Sequence, residues 1–340
     1  MKIAITGGAG FIGSHLARAY LDAGHTVLII DNLLHGCHQA VDPRARLYAV
    51  DIRDSKLRTI LQQERPDVVS HHAVQHLDSI VGEKSLADAD VHIRGLLNIL
   101  EGCVNAGVSK VIFASNGNSL YKQVSAEELP VTEEAALYPR HPDDISKVAG
   151  EWYVRYYSNQ FGLKHTIFRY ADVYGETDIT RAHHPLMYFM AMLLQRQRPI
   201  IRGTGDEIRD HISISDVVKA NMCALKRGEN QTLHISSGHG YSLNQICAMV
   251  VNLLKSDLEA VHISGTLAED YSIVMDNSRA QRVLGWKPEI SLTEGIKCAL
   301  ELWYPHKEMA FLPDEIVIKR IPAMSMVSGH GKLGQYTLAQ

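Results

Sequence analysis

The sequence predicts an α/β fold: a doubly wound parallel sheet of the Rossmann type, followed by a smaller C-terminal α/β substrate-binding domain. Three observations carry that expectation. Short apolar runs alternate with amphipathic runs over residues 1–175, the pattern of parallel strands joined by helices. The first of these units places Gly7, Gly10 and Gly13 between strand and helix. Polar turns follow the apolar runs, and ligands of such sheets bind beyond the carboxyl ends of the strands.

The first unit is an apolar run at 2–6, the glycine turn, an amphipathic run at 12–21 and, past Gly24, a second apolar run at 26–30. Gly7 allows the tight turn, Gly10 lets backbone N–H groups approach a pyrophosphate at the positive end of the helix, and Gly13 lets helix and strand pack closely. Asp31 ends the second strand, where a carboxylate accepts hydrogen bonds from the adenosine ribose hydroxyls and repels a 2′-phosphate. The expected cofactor is therefore NAD and not NADP.

A loop with His35, Gly36 and His38 leads to a strand at 46–50, which ends in Asp51-Ile52-Arg53-Asp54. A helix at 55–63 precedes a strand at 67–71 and the turn His72-Ala73-Val74-Gln75-His76. A long helix at 85–106 is followed by a strand at 110–114 and the polar turn Ser115-Asn116-Gly117-Asn118-Ser119. Next come a helix at 144–161, a strand at 165–169 and the turn 170–175. The pattern then loosens through a helix at 185–195, the segment around Arg209-Asp210, a strand at 233–236 and a helix at 242–254. The NAD-binding domain is expected over 1–175 plus about 211–238, the substrate domain over 176–210 plus 239–305. Residues 306–340 form a tail with no assigned role.

With 340 residues, 46% hydrophobic and 21% charged, the composition is that of a globular protein. The net charge of −4 gives no basic surface for nucleic acid or an anionic membrane, so neither is expected as a partner. Nothing approaches the roughly 20 apolar residues that span a bilayer, and a cytoplasmic location is expected. The five cysteines include no Cys-x-x-Cys pair and read as reduced packing residues; no metal site is expected among them or among the 18 histidines.

These motifs resemble those of the extended short-chain dehydrogenase/reductases, specifically the NAD-dependent nucleotide-sugar epimerases and dehydratases. The resemblance rests on the glycine turn with Phe11-Ile12, Asp31-Asn32-Leu33, Asp51-Ile52, Gly95 and Asn98, and Ser146-Lys147 with Glu151. It continues through Arg169-Tyr170 with Tyr174-Gly175, Gly203 and Gly205 with Arg209-Asp210, Asp216-Val217-Val218, and Leu284-Gly285-Trp286 with Pro288. It implies NAD contacts at Gly7, Gly10, Phe11, Ile12, Asp31, Asn32, Gly36, Asp51, Ile52, His72, Ala73, Val74, Gln75, Lys147, Tyr170 and Val173. It also implies a homodimer joined through the helices at 85–106 and 144–161.

In such enzymes a tyrosine and a lysine four residues later stand beside the nicotinamide. The tyrosine removes a proton from the sugar 4-hydroxyl while hydride passes to NAD, and a Ser or Thr completes the proton path. The implied substrate is a nucleotide-linked sugar whose phosphates are gripped by an arginine, here Arg209. Epimerisation at C4 is the commonest outcome.

The sequence departs from that pattern at its catalytic set. Lys147 is present, but Asp143 stands four residues before it and Asn116 stands at the hydroxyl position, with Ser115 and Ser119 nearby. His92 and Asp172 each replace a frequent asparagine, and 267–275 contains no arginine. Aspartate has a reference pKa near 3.9 against about 10 for tyrosine, so an aspartate acts as base for an alcohol only if burial raises it. Candidates to share the proton are His76, His141 and Tyr121, the last expected to be structural. The expected catalytic set is Asp143, Lys147, Asn116, Ser115 and His76, with His76, Asp172 and Arg209 contacting substrate. Asp143 also fits a plain i to i+4 ion pair with Lys147. Two further readings therefore stand beside the epimerase: an NAD-binding sensor or scaffold that lacks catalysis, and an enzyme of this fold with a non-nucleotide substrate.

Overall fold

The computed structural model describes residues 1–75, 84–175, 184–264 and 272–303. Strands β1 (Lys2–Thr6), β2 (Thr26–Asp31), β3 (Arg46–Ala49), β4 (Val68–His71), β5 (Lys110–Asn116) and β6 (Lys164–Tyr170) build the main sheet together with β10 (Gln231–Ile235). Their spatial order is β10-β6-β5-β4-β1-β2-β3, and every pairing in the sheet is parallel. Chain order reverses across β1, which pairs with β2 on one side and β4 on the other. That is the switch point where such sheets hold ligands.

Helices cover both faces, which is why these strands read as continuous apolar runs. On one face, α1 (Phe11–Asp22) and α7 (Ile214–Ala224) pack Leu16, Tyr20, Val217 and Ala220 against Ile3, Ile5 and Phe168. On the other, α2 (Lys56–Glu64), α4 (Gly95–Ala106) and α5 (Pro142–Phe161) pack Leu57, Leu96, Ile99 and Val154 against Ala4, Val69 and Phe113. A Cβ at Gly95 would lie 2.6 Å from Ile52, so the absence of a side chain there sets how closely α4 meets the loop after β3.

Three of the element boundaries that differ from expectation bear on the site. The helix expected at 85–106 is α3 (Lys84–Ala89), a π-helical turn at Asp90–Arg94 and α4 in succession; the turn carries the buried His92. The strand expected to stop at 114 runs to Asn116, because Ser115 and Asn116 continue the ladder opposite Arg169 and Tyr170. Helix α5 begins at Pro142, whose fixed φ suits a first helical position, so Asp143 and Asp144 both lie in the first turn.

The remaining strands are β7 (Asp172–Tyr174), β8 (Ile200–Arg202), β9 (Ile208–Ser213), β11 (Gly240–Ser242) and β12 (Val261–Ile263). They form a three-stranded sheet, β11-β9-β7, and a pair, β12-β8. Around them α6 (Pro185–Leu194), α8 (Leu243–Leu254) and α10 (Leu292–Trp303) build a separate apolar core from Leu186, Phe189, Met190, Ile246, Val250 and Ile296. The intervening α9 (Ser278–Leu284) packs on the main-sheet core through Ala280 and Leu284. Beyond it the buried carboxylate of Asp216 accepts the backbone N–H groups of Glu289 and Ile290, and Trp286 Nε1 donates to the Asp216 carbonyl. These bonds hold the chain after α9 on α7. No helix among the described residues is long and apolar enough to cross a membrane.

Glu151 ties α5 to the sheet. Its fully buried carboxylate accepts both Nε and Nη2 of Arg169 from β6, at 2.8 and 2.7 Å, together with Ser115 Oγ from β5 at 2.7 Å and Arg155 at 2.9 Å. Burial works to raise its pKa, but the Arg169 hydrogen bonds and charge leave it below the ordinary glutamate value. The unfolded state therefore takes up the proton at higher pH than the native state, and the stability that Glu151 contributes is lost as pH falls through and below about 4.5. Glu151→Gln leaves Arg169 buried without its counter-charge and should lower the unfolding free energy by about 3–5 kcal/mol at neutral pH, read by chemical denaturation. The difference from the parent should shrink as the pH is lowered; a constant difference down to pH ~3 would show that the pair carries no such charge-dependent stability.

Candidate functional site

The turn between β1 and α1 is shaped by what its glycines leave out. Gly7 has φ +71°, and a Cβ there would stand 2.6 Å from the Ala73 nitrogen; one at Gly13 would stand 2.1 Å from the Gly7 carbonyl. The helix therefore begins directly on the turn, with its first N–H groups aimed past the end of β1. Asp31, at the end of β2, locks the same turn: one carboxylate oxygen accepts the Ala9 N–H at 3.0 Å and the other the Leu33 N–H at 2.8 Å. A carboxylate has about four acceptor positions, so lone pairs remain for ribose hydroxyls. A Cβ at Gly36 would lie 2.8 Å from the Ala9 side chain, so this loop closes over the turn.

At the far end of this edge, Asp51 receives Arg53 through two hydrogen bonds of 2.8 Å and the Asn32 amide at 2.9 Å. The Arg53 hydrogen bonds hold its carboxyl well below the usual range. Ile52 is buried beneath, against Gly95. Phe11 is buried at the start of α1, and Ile12 half-buried beside it.

At the end of β4 two consecutive histidines turn to opposite faces. His71 Nδ1 bonds Thr6 Oγ1 at 2.6 Å and its ring stacks on Phe113; His72 Nε2 bonds Ser70 Oγ at 2.9 Å and its ring stacks on Tyr170. Burial pushes His72 down to about 3, so it is neutral, and its Nδ1 is buried with no hydrogen-bond partner. A buried polar atom without a partner calls for one. The glycine cradle, the free acceptor positions on Asp31 and this unpaired nitrogen together fit a bound dinucleotide. Ala73, Val74 and Gln75 continue half-buried along the same edge, while His76 and His183 lie outside the described residues.

Lys147 projects from α5 toward the end of β5. Its Nζ donates to the Ala114 carbonyl at 2.8 Å and stands 5.3 Å from the centre of the Phe113 ring; it makes no ion pair with Asp143. Desolvation is the largest influence on it and pushes its pKa down to about 8. Asp143 is exposed, so the burial that an aspartate base requires is not present at that position. Ser115 is buried with its hydroxyl given to Glu151. Asn116 Nδ2 donates to Ser119 Oγ at 2.6 Å and to the Asp144 carboxylate at 3.1 Å, and Ser119 Oγ donates to that same carboxylate.

Asp144, 1% exposed, carries no expectation from its residue type alone, and Ser119 enters the sequence reading only as a neighbour of Asn116. The available signal was spacing: Asp144, Lys147 and Glu151 follow the i, i+3, i+7 pattern of one helical face. Tyr121 is structural, buried between His234 Nε2 and Arg169 Nη1. His141 caps the start of α5, with its carbonyl accepting from Ile145.

The third group lies at the end of β6 and on the small sheet that follows. Tyr170 is buried with its hydroxyl held by Asn221 at 2.8 Å, and Val173 is half-buried on β7. Asp172 pairs in register with His211, whose ring is buried, lies 5.2 Å from that of His184, and is pushed down to about 3 by burial. Arg209 is half-buried on β9, opposite Tyr241. Among the described residues no group of His, Cys, Asp or Glu could hold a metal ion.

Fold and site together define a dinucleotide-binding α/β protein with a lysine held near the carboxyl end of β5. Residues 3–236 match the NAD dependent epimerase/dehydratase family, and the chain belongs to that family. It is 30% identical over 310 residues to the UDP-glucose 4-epimerase of Mycolicibacterium smegmatis, covering 89% of this chain and 98% of that one. The structure of Thermotoga maritima UDP-glucose 4-epimerase with UDP-glucose superimposes with a TM-score of 0.86 at 32% identity, covering 90% of this chain and 99% of that one. Thermus thermophilus UDP-glucose 4-epimerase in complex with NAD gives a TM-score of 0.83 at 28% identity, covering 89% and 99%. The protein is an NAD-dependent enzyme of the epimerase/dehydratase type.

Because a methyl group at Gly13 would sit inside the Gly7 carbonyl, Gly13→Ala must push α1 off the turn. Its affinity for NAD, measured by calorimetric titration, should fall at least ~10-fold, equivalent to about 1.4 kcal/mol. An unchanged affinity would mean that the helix start does not face the cofactor.

Proposed function

We propose that this protein interconverts UDP-linked sugars epimeric at C4 through a transient 4-keto intermediate. The observation that carries this reading is the placement of Lys147 at the Ala114 carbonyl, near the carboxyl end of β5 in the sheet that carries the glycine turn, in a chain whose relatives are named UDP-glucose 4-epimerases. Bound NAD supplies a reversible hydride acceptor for the sugar carbon. The cradle residues Gly7, Gly10, Phe11, Ile12 and Gly36 hold its pyrophosphate, with Asp31 and Asn32 at the adenosine ribose and Asp51 and Ile52 near the adenine. His72 to Gln75, Tyr170 and Val173 surround the nicotinamide end, where Lys147 binds the ribose.

Arg209 takes the diphosphate, and Asp172 faces the substrate from β7. Residues 1–175 with about 211–238 form the cofactor domain, and the apolar core around α6, α8 and α10 belongs to the substrate domain. Asp143 orients the sugar: exposed at the first turn of α5 and one turn from Lys147, its carboxylate accepts a hydrogen bond from a substrate hydroxyl.

The test is a titration of the NAD-loaded protein with UDP-glucose, UDP-galactose and UDP-N-acetylglucosamine, following heat, NADH absorbance and product by NMR. Binding with interconversion of a 4-epimer pair is expected, and Asp143→Asn should raise KM about 10-fold through loss of one charged hydrogen bond. No binding of any nucleotide sugar with NAD still held would favour a sensor or a non-nucleotide substrate.

We also propose a homodimer. Along α5, Ile145, Trp152, Tyr153, Tyr156 and Phe161 are exposed, a concentration of large apolar side chains that marks an interaction face. Light scattering should give a dimer mass, and Trp152→Glu should shift it toward monomer; a monomeric parent protein at micromolar concentration would refute the assignment.

A further inference from the structure

The proposed reaction needs a group that takes the proton of the sugar hydroxyl, and neither Asp143, exposed to water, nor Ser115, committed to Glu151, has the surroundings for it. Asn116 cannot serve, since an amide nitrogen does not accept a proton. Its geometry is informative all the same. The Asn116 Nδ2 is a donor only, so Ser119 Oγ accepts from it at 2.6 Å, and the single Ser119 proton is left to point at the Asp144 carboxylate. The direction of this chain is therefore set: amide to hydroxyl, hydroxyl to carboxylate. Ser119 is half-buried whereas Asp144 is 1% exposed, so of the two the hydroxyl is the more accessible from outside.

Both groups are linked to Lys147 through the chain. Asp144 precedes it by three residues on α5. Asn116, which fixes Ser119, is two residues beyond Ala114 on the same face of β5, a separation of about 7 Å along a strand, and Ala114 carries the carbonyl that holds Nζ.

We propose that Ser119 and Asp144 are the proton-transfer pair of this enzyme, taking the place left by the missing tyrosine; this rests on the epimerase reading above. As the C4–H bond breaks and its electron pair leaves as hydride to NAD, the sugar O–H bond also breaks and its proton goes to Ser119 Oγ. The original Ser119 O–H bond breaks in the same step, and that proton bonds to an Asp144 oxygen. No serine anion has to form, because the hydroxyl gains one proton while losing the other. Return of hydride to the opposite face reverses both transfers and leaves Ser119 and Asp144 as they began. Lys147 holds the ribose and keeps a positive charge near the site.

The experiment compares the parent protein with Ser119→Ala, Ser119→Thr and Asp144→Asn, each loaded with NAD. It measures kcat and KM for the UDP-sugar pair, the rate of NADH formation in a single turnover, and UDP affinity by calorimetry. Asp144→Asn keeps an oxygen to accept from Ser119, so the fold should survive; thermal melts and NAD content check this. The pair predicts kcat at least ~100-fold lower for Ser119→Ala and Asp144→Asn, the size of a lost general acid–base group. UDP affinity should stay within about threefold of the parent, and Ser119→Thr, which keeps the hydroxyl, should recover most of the rate.

Folded Ser119→Ala and Asp144→Asn proteins with kcat within about threefold of the parent would overturn the pair. So would abolition of NADH formation at saturating substrate by Asp143→Asn alone. If the parent protein itself converts no UDP-sugar, the epimerase reading falls and the pair falls with it; if the parent is active and both variants are too, only the pair falls.

Discussion

The carboxylate of Glu151 is the point through which α5 is referred to the sheet. It sits in an apolar layer and is tolerated there because Arg169 neutralises it through two hydrogen bonds while Ser115 and Arg155 occupy its remaining lone pairs. Two of those donors come from adjacent strands, β5 and β6, so the helix can neither slide nor rotate without breaking several charged contacts at once. Lys147 is one turn earlier on the same helix and Asp144 one turn earlier again. Their approach to the end of β5 is inherited from this anchor.

A second constraint acts at the end of β1. The glycine turn has no room for a single added Cβ at Gly7 or Gly13, and Asp31 fixes it from below through backbone N–H groups of Ala9 and Leu33. One carboxylate thus ties the end of β2 both to the glycine turn and to the loop that follows the strand.

Between these two rigid borders lie the side chains around Lys147. Asn116, Ser119 and Asp144 form a directed hydrogen-bond chain, and Lys147 keeps its carbonyl partner. A buried carboxylate is expensive to maintain unless donors satisfy it, and here Asn116 and Ser119 both donate to one of its oxygens. The neighbour that is exposed, Asp143, has the freedom to meet a ligand instead.

The strand-helix alternation, the glycine turn, Asp31 and Lys147 were legible in the sequence because each depends on local periodicity or on a motif of a few residues. So was the family, whose motifs are spread along the chain. Element ends were less so: β5 gains Ser115 and Asn116 only because Arg169 and Tyr170 lie opposite them, and α5 gains Asp143 through Pro142 at its start. What the sequence could not decide is which of two adjacent aspartates faces inward. Asp143 and Asp144 are chemically identical and share one helical turn; their fates differ because Asn116 and Ser119, 25 to 28 residues away in the chain, meet only the second. The same holds for His72, whose unpaired nitrogen exists only once Tyr170 and Ser70 have closed around it. Local pattern determined the fold and the cofactor, since both follow from short-range spacing. The tertiary structure alone determined which side chains are desolvated and which hydrogen bonds are directed, because those depend on contacts between segments remote in sequence.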